Sequence, residues 1–354
     1  MKKSVAAFIP VALVAVLIII LSRSDKKTQA IISPEPRSGV AVILTGAAAR
    51  IPQEAALLEE LDKKGLLKDL VFISGVSSGA LNSVLLNGIL SGRMTWDEYK
   101  NILYNLKNSD VFVQEGKKFP VNTSPARELY KRIVEEDLGY YMIGDLPYTT
   151  ALSVTHPEDL YLKRTIYRMC SRKINEETDT TLNLVDILMA STSFPVIFPA
   201  VRIENVKTIP DVEFIDGGAG EDMVPYQALF EFEKHRGAGV EKIYIVSHKM
   251  DSTPEISEEL RGLGIDDRGL FDRLGVSLDA IISKGIMKRL EAYVAGAPDH
   301  ISRTYIFIPD FQTDFLLFNF ENLKLQYDLA SEWAQKHEPV PLSDFMLQLQ
   351  AKNN

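Results

Sequence analysis

The sequence predicts a three-layer α/β/α domain with a mostly parallel central sheet. The run Gly39–Leu44 is apolar without interruption, which is typical of a strand buried on both faces of a sheet. Short apolar, β-prone runs then alternate with helical stretches along the chain, and this alternation favours parallel strands with helices on both faces. With 354 residues, 46% hydrophobic and 25% charged, the chain can bury a full core.

The first two strand–helix units set the pattern. A helix from about Gln53 to Lys63 follows the first strand, and Gly65 is placed as its C-cap. The run Leu70–Ile73 is short, apolar and β-prone, and it predicts the second strand. After a glycine-rich turn, Ala80–Leu86 predicts a buried helix.

The later elements continue the alternation, and neither a repeat nor an inner boundary interrupts residues 39–354, which are therefore predicted to form one domain. Helices are predicted at Ser124–Glu136, where a capping serine precedes an N1 proline, and at Leu184–Ala190, Tyr226–Lys234, Leu270–Val294 and Leu323–Gln335. Strands are predicted at Ala151–Val154, Leu160–Tyr167, Phe214–Ile215, Lys242–Val246 and Tyr305–Ile308.

The N-terminus has a different composition. Residues Ser4–Leu21 are apolar and uncharged, and their number lies at the short end of what a membrane-spanning helix needs. No small-x-small cleavage site follows closely, so residues 1–24 are predicted to be an uncleaved single-pass membrane anchor, with 25–38 as a linker. The alternative is a cleaved signal sequence and a secreted or periplasmic protein, with Thr28–Ala30 as the best cleavage candidate.

Charge and residue usage exclude several classes of function. Residues 1–38 hold six basic and two acidic residues and so carry a net charge of +4. Since the whole chain carries −9, residues 39–354 carry −13, and so acidic a domain disfavours nucleic acid as a partner. The single cysteine, Cys170, excludes an intrachain disulfide and is expected to be a small buried side chain. Five histidines without metal-ligand spacing predict no zinc site, and no metal or organic cofactor is expected.

The stretch FISGVSSGAL, residues 72–81, contains a candidate nucleophile. Gly75, Ser77 and Gly79 have the G-x-S-x-G spacing, between a predicted strand and a predicted helix. Small residues on both sides of the serine allow a strained turn that lifts its hydroxyl above the sheet, as in a nucleophile elbow. The N-terminus of the following helix would direct its dipole to the same point.

Two further stretches supply groups that a serine nucleophile needs. TGAAAR, residues 45–50, follows the first strand, and its small residues let backbone N–H groups approach a substrate as an oxyanion hole requires. FIDGG places Asp216 at the end of a strand, where it can accept a proton from the serine or orient the group that does. Taken alone, each has a plainer interpretation as a tight turn.

Together, these stretches resemble the patatin-like phospholipase family. That family has a D-G-G-G-x-R-G loop, then G-x-S-x-G, then D-G-G or D-G-A, in this order. The segment Ala190–Val201 is also similar to the A-S-S-A-x-P-x-x-F-P-P-V stretch that precedes the family's aspartate. The resemblance spans about Val40 to Pro225 and fades afterwards.

The resemblance implies a fold, an activity and a set of site residues. Patatin-like enzymes hydrolyse acyl esters of lipids with a serine–aspartate dyad and no histidine, so the substrate would be a lipid acyl ester of the phospholipid or lysophospholipid kind. Ser77 would be the nucleophile and Asp216 the base. The oxyanion loop would be shaped by Gly46, Ala47 and Ala48, with Arg50 behind them.

The loop departs from the family pattern. Thr45 replaces its leading aspartate, Ala47 and Ala48 replace two glycines, and Ile51 replaces the last one. Alanine still offers an N–H group, but it is strained wherever the loop needs a positive φ. These replacements favour an alternative in which the chain is a weak or inactive lipid- or protein-binding scaffold.

A second alternative is an α/β-hydrolase with a Ser77–Asp216–His248 triad, since that fold uses the same elbow. His248 follows a predicted strand, and His300 lies later in the chain. The sequence disfavours the triad, because no HG-type oxyanion motif precedes the elbow and only two predicted strands come before Ser77.

Overall fold

The computed structural model describes residues 36–116, 118–157, 166–175, 180–206, 212–250 and 270–353. The predicted anchor and all but the last residues of the linker lie outside these ranges. Within them, no helix is long and apolar enough to cross a membrane, so the anchor stays a prediction from the sequence. Residues Arg37–Asn354 pack as one compact unit.

A sheet occupies the middle of this unit. In the described ranges its strands are Val40–Leu44 (β1), Leu70–Val76 (β2), Thr149–Thr155 (β3), Ile166–Cys170 (β4), Val201–Arg202 (β5), Glu213–Asp216 (β6), Lys242–Val246 (β7), Thr304–Phe307 (β8) and Val340–Pro341 (β9). They follow the order β5–β6–β3–β2–β1–β7–β8–β9, with β4 also paired to β3. The five inner strands from β3 to β8 are parallel, while β4, β5, β6 and β9 pair antiparallel. The predicted mostly parallel α/β fold is therefore confirmed.

Helices cover both faces of the sheet. They are Ile51–Lys63 (α1), Ser78–Leu90 (α2), Trp96–Asn105 (α3), Asn108–Val111 (α4), Ser124–Tyr130 (α5), Leu184–Ser191 (α6), Gln227–Arg236 (α7), Leu270–Gly296 (α8), Pro298–Ile301 (α9), Leu323–Gln335 (α10) and Leu342–Asn353 (α11). A π-helical stretch, Lys131–Asp137, extends α5 to the predicted end of that helix. Helix α10 packs on α1.

The central strand shows why the fold has three layers. All five residues of β1 are buried. Alternate side chains belong to two separate hydrophobic clusters, with Ala41 and Ile43 in one and Val40, Val42 and Leu44 in the other. Because successive side chains of a strand point to opposite faces, both faces of β1 are covered. This is the burial that the uninterrupted apolar run predicts.

The predicted strand Leu160–Tyr167 lies mostly outside the described residues, which omit 158–165. The strand described here is β4, Ile166–Cys170, which overlaps the prediction at its last two residues. Its later residues Met169 and Cys170 are buried against β3. Burial also raises the pKa of the Cys170 thiol to about 12, which agrees with an unreactive packing residue.

Adjacent parallel strands bring two loops together. Strands β1 and β2 are hydrogen-bonded neighbours, so the turn after Leu44 and the turn after Val76 leave the same edge of the sheet. At this edge a Cβ atom on Gly79 would lie 1.9 Å from the carbonyl oxygen of Thr45. The two turns therefore touch through backbone atoms, with no room for a side chain.

We expect Gly79→Ala to destabilise the fold by about 3 kcal/mol, because the backbone of one turn must move to admit the methyl group. Gly296→Ala is the matched control, since Gly296 is exposed at the end of α8 and an added Cβ meets no atom within 4 Å. It should change stability by less than about 0.5 kcal/mol. Thermal unfolding of the three proteins measures both effects, and equal melting temperatures would contradict the contact.

Candidate active site

Ser77 lies between β2 and α2 in the geometry of a nucleophile elbow. Strand β2 ends at Val76 and helix α2 begins at Ser78, so the serine is the single residue between them. Its φ is 56° and its ψ is −128°, a strained conformation that non-glycine residues rarely adopt. The side chain is partly exposed, whereas its neighbours Val76 and Ser78 are buried. The turn therefore presents the hydroxyl at the carboxyl edge of the sheet.

The glycines of the motif let the turn close. A Cβ on Gly75 would lie 2.3 Å from the carbonyl oxygen of Gly79 and 2.4 Å from the hydroxyl of Ser83. Gly79 makes the backbone contact with Thr45. Both positions therefore need glycine for close approach rather than for unusual dihedral angles.

Asp216 comes to Ser77 from the end of β6. Its carboxyl is 2% exposed, and it accepts a hydrogen bond from the backbone N–H of Gly218 at 2.8 Å. Burial raises the pKa of Asp216 to about 7, although hydrogen bonds from the Ser77 hydroxyl and the Gly218 N–H oppose that rise. The structure thus brings together the two residues that the sequence singled out, with a carboxyl that changes charge near neutral pH.

The end of α6 and the residues directly after it hold both Ser77 and Asp216. The backbone N–H of Ser77 donates to Ser191 Oγ at 3.0 Å, and that hydroxyl donates to the carbonyl of Ser153 at 2.9 Å. The backbone N–H of Asp216 donates to the carbonyl of Ser193 at 3.0 Å. The segment Ala190–Val201 was noted in the sequence only for its resemblance to the family, and the structure shows that it holds Ser77 and Asp216 beside β3.

The loop of small residues lies directly on the nucleophile. A Cβ on Gly46 would be 2.5 Å from Ser77 Cβ, so only glycine fits there. Ala48 has a φ of 46°, the left-handed conformation that strains an alanine by about 1–2 kcal/mol. Ala48 therefore has the left-handed backbone conformation that favours glycine, although it is an alanine.

One N–H group of this loop already has a partner. The backbone N–H of Ala47 donates to Ser78 Oγ at 2.9 Å, and Ser78 is the first residue of α2. This bond ties the middle of the loop to the helix that follows the nucleophile. Sequence reasoning missed Ser78, whose only signal was its place beside Ser77.

Arg50 lies behind the loop, as expected, and turns away from the pocket. It is 2% exposed, and its guanidinium donates to the carbonyls of Lys249 at 3.4 Å and of Phe315 at 2.8 Å. The backbone N–H of Ala49 also donates to the carbonyl of Leu317 at 2.9 Å. The far side of the loop is therefore held by the segment before α10.

Ser77 and Asp216 lie in the wall of a deep apolar pocket. The pocket encloses about 910 Å³, part of it open to solvent, and Asp216 is the only acidic or basic side chain among its described lining residues. Aromatic side chains cover one wall: Phe194, Phe198, Phe318 and Phe320. Phe194 and Phe198 belong to the segment Ala190–Val201, and both face this space.

The histidines of the alternative triad lie elsewhere. No histidine is among the described residues that line the pocket. His248 is fully buried after β7. His300 Nε2 is 2.7 Å from Glu233 Oε2. Burial raises the pKa of Glu233, but hydrogen bonds with His300, Arg303 and the Val240 N–H outweigh it and lower that pKa to about 2. The structure thus brings neither His248 nor His300 to the described wall of the pocket.

Comparison with known proteins gives one sequence match and several structural likenesses. The solved structure of VipD from Legionella pneumophila has 12% identity and a TM-score of 0.41, covering 85% of this chain and 67% of that one. The type III effector protein ExoU of Pseudomonas aeruginosa has 11% identity and a TM-score of 0.37, covering 86% and 54%. Human GIVD cytosolic phospholipase A2, in complex with methyl gamma-linolenyl fluorophosphonate, has 10% identity and a TM-score of 0.39, covering 84% and 57%. The chain spans little more than half the length of the last two.

No curated protein matches the chain in sequence. The sequence profile described as patatin-like phospholipase matches residues 42–230, which is more than half of the chain. That range includes the small-residue loop, the elbow serine and Asp216. The chain therefore belongs to the patatin-like phospholipase family.

Proposed function

We propose that the chain is a serine hydrolase of lipid acyl esters, with Ser77 as nucleophile and Asp216 as general base. One observation carries the proposal: a serine hydroxyl in a strained turn faces a buried carboxyl in the wall of an apolar pocket. Membership of the family adds that lipid acyl esters are the expected class of substrate.

The chemistry follows from the two groups. The ionised Asp216 carboxylate takes the proton of the Ser77 hydroxyl as the oxygen attacks the ester carbonyl carbon. The tetrahedral intermediate collapses with loss of the alcohol, which receives that proton from Asp216. Water then attacks the acyl-serine, Asp216 takes its proton, and the serine is restored when the fatty acid leaves. A base with a pKa near 7 suits proton transfer at neutral pH.

The oxyanion of both intermediates needs N–H donors beside Ser77. We assign this role to the backbone N–H groups of Gly46 and Ala48, because Gly46 touches Ser77 and the N–H of Ala47 is bonded to Ser78 Oγ. The same bond would keep the loop from moving as charge develops. Donors fixed before the reaction stabilise an oxyanion more than donors that must first reorganise.

The pocket indicates which part of the substrate it binds. Its lining is apolar and aromatic, and apart from Asp216 its described residues offer no charged group to a polar head. Burial of an acyl chain gains about 0.8 kcal/mol for each CH₂ group. The acyl chain therefore belongs in the pocket and the leaving alcohol toward its mouth.

The arrangement favours the dyad over the triad. A histidine base would have to reach the Ser77 hydroxyl, and no described pocket residue is a histidine. Ser77 and Asp216 line the same pocket, and the Ser77 hydroxyl opposes the rise in the pKa of the Asp216 carboxyl.

Ser77→Ala should abolish covalent labelling of the full chain by a fluorophosphonate and lower ester hydrolysis by at least about 10⁴-fold, because it removes the nucleophile. Ser343→Ala, which removes an exposed serine on α11, should label as the wild type does. Gel fluorescence and fatty-acid release give the two readouts. A folded wild type that takes no label would favour the binding scaffold instead.

Asp216→Asn should lower activity by about 10²–10⁴-fold while stabilising the fold above pH 7. Folding raises the pKa of Asp216 from 3.8 to about 7, so the folded chain keeps a proton that the unfolded chain releases. Stability therefore falls as the pH rises through that range, and asparagine removes this cost. Wild-type kcat/KM should rise with pH and reach half its maximum near pH 7, since the base must be ionised.

Melting temperatures at pH 5 and pH 8 test the stability part, with Asp69→Asn as the exposed control. The melting temperature of the Asp216→Asn protein should exceed that of the wild type mainly at pH 8. A variant that is less stable than the wild type at pH 8 would show that the carboxylate contributes to the fold.

We also propose that Ser4–Leu21 anchors the chain in a membrane, as its uncharged apolar run supports. The full chain should then stay in the membrane fraction after an alkaline carbonate wash, at its full length by mass spectrometry. Replacement of Leu13 and Ile18 by lysine should release it, because charges in the centre of a span are costly. A mature chain that begins near residue 31 would establish the cleaved signal instead.

A further inference from the structure

Glu54 is a buried carboxyl that the proposed reaction does not use. It lies on α1, its exposed fraction is 0%, and it is not among the residues that line the pocket. Its two oxygens face two different elements. Oε1 is 2.7 Å from Thr45 Oγ1, and Oε2 accepts a hydrogen bond from Asn82 Nδ2 at 3.1 Å.

Each of these partners belongs to one half of the site. Thr45 follows β1 and directly precedes Gly46, so it is the residue from which the oxyanion loop departs. Asn82 lies on α2, in the second turn of the helix that begins after Ser77. Glu54 therefore bridges the loop that would stabilise the oxyanion and the helix that carries the nucleophile.

The orientation of Asn82 is fixed by its other bonds. Its second N–H donates to the carbonyl of Ile51 at 3.3 Å, and its oxygen accepts a hydrogen bond from the Tyr99 hydroxyl. Both amide donors and the amide oxygen therefore have partners. Asn82 can only donate to Glu54, so Glu54 Oε2 must be an acceptor.

The other oxygen of Glu54 also accepts a hydrogen bond, since the Thr45 hydroxyl donates to Oε1. Thr45 Oγ1 lies 2.8 Å from Ser247 Oγ as well, so the Ser247 hydroxyl can donate to Thr45 while Thr45 donates to Glu54. Burial raises the pKa of Glu54 to about 8, although the hydrogen bonds from Thr45 and Asn82 oppose the rise.

We propose that Glu54 is a positioning residue: its carboxyl holds Thr45, and with it the loop of Gly46 to Ala48, at a fixed place beside the helix of Ser77. This inference rests on the proposed function of that loop. The carboxyl does not line the pocket, so its effect on the reaction passes through its partners Thr45 and Asn82.

Such a role has a kinetic signature. Glu54 is not among the residues that line the pocket, so substrate binding in the ground state should not depend on it. The oxyanion forms only during the reaction, and misplaced donors lower transition-state stabilisation without weakening substrate binding. Loss of Glu54 should therefore lower kcat and leave KM nearly unchanged.

The experiment compares Glu54→Gln with Glu54→Met in the full chain, using p-nitrophenyl butyrate as substrate. Glutamine has the same shape, its oxygen can accept from Asn82, and its N–H can donate to Thr45 when the Thr45 hydroxyl turns toward Ser247, so it should keep kcat within about threefold of the wild type. Methionine has a similar shape but makes neither bond, so kcat should fall about 100-fold with KM within about threefold.

Glu59→Met is the matched control, because Glu59 is a buried carboxyl on the same helix that accepts from the Tyr327 hydroxyl at 2.6 Å and faces α10. It can lower the melting temperature, but it should leave kcat unchanged. Thr45→Val removes the same hydrogen bond from its other end. Its kcat should fall as in Glu54→Met, and the double variant should lose no more than either single variant.

Hydrogen exchange measured by mass spectrometry gives a readout that needs no activity. In Glu54→Met, amides of residues 45–50 should exchange about tenfold faster, while Glu54→Gln and Glu59→Met should match the wild type there. A wild type without esterase activity would overturn the proposed function. Hydrogen exchange would then still show whether Glu54 holds the loop in place. Wild-type exchange and kcat in Glu54→Met, or a glutamine variant as impaired as the methionine one, would overturn the inference.

Discussion

The backbones of Gly79 and Thr45 touch without side chains between them, and the geometry of the site depends on that contact. It holds the turn after β1 and the turn after β2 so close together that no side chain fits between the two backbone segments. Because the contact is backbone to backbone, it cannot adjust by a change of rotamer. Gly46, the next residue of the loop, lies against Ser77 with equally little space.

Two buried carboxyls then differ in what surrounds them. Both have their pKa raised by burial, yet Asp216 meets the Ser77 hydroxyl and one backbone N–H, whereas Glu54 lies in a closed set of polar side chains. Asp216 lies at the pocket, where it can exchange a proton with substrate and water. Glu54 has no such access, which suits a fixed hydrogen-bond pattern. The same desolvation therefore supports proton transfer in one place and rigidity in the other.

The sequence predicted the parts of this site that depend on local structure. The G-x-S-x-G spacing between an apolar strand and an apolar helix was enough to predict the elbow, and a strand-end aspartate before two glycines was enough to single out Asp216. It could not predict that Glu54 meets Asn82, since that contact depends on how α1 packs against α2. Ser78 and Ser191 were missed for the same reason. Nothing in the sequence around a serine shows which backbone N–H group will donate a hydrogen bond to its hydroxyl.

Helix α3 was not predicted, although the sequence contains a signal for its first residue. Thr95 and Glu98 have capping-box spacing, and they begin α3 with the two reciprocal bonds of that motif. The segment 311–320 has no periodicity, so no element was predicted there, and its aromatic side chains gave no sign that they would line a pocket. A residue's place in the pocket was therefore harder to predict than its place in a helix or strand.

The region that matches the family profile ends at residue 230, but the domain is completed only by residues beyond that point. Strand β7 pairs with one whole edge of β1, and the segment 315–320 supplies both pocket wall and the carbonyl that holds Arg50. A chain cut at the profile boundary would thus keep the small-residue loop, the elbow serine and Asp216, and still leave one edge of β1 without its partner strand. The stretch by which the family is recognised is therefore shorter than the stretch that forms the sheet.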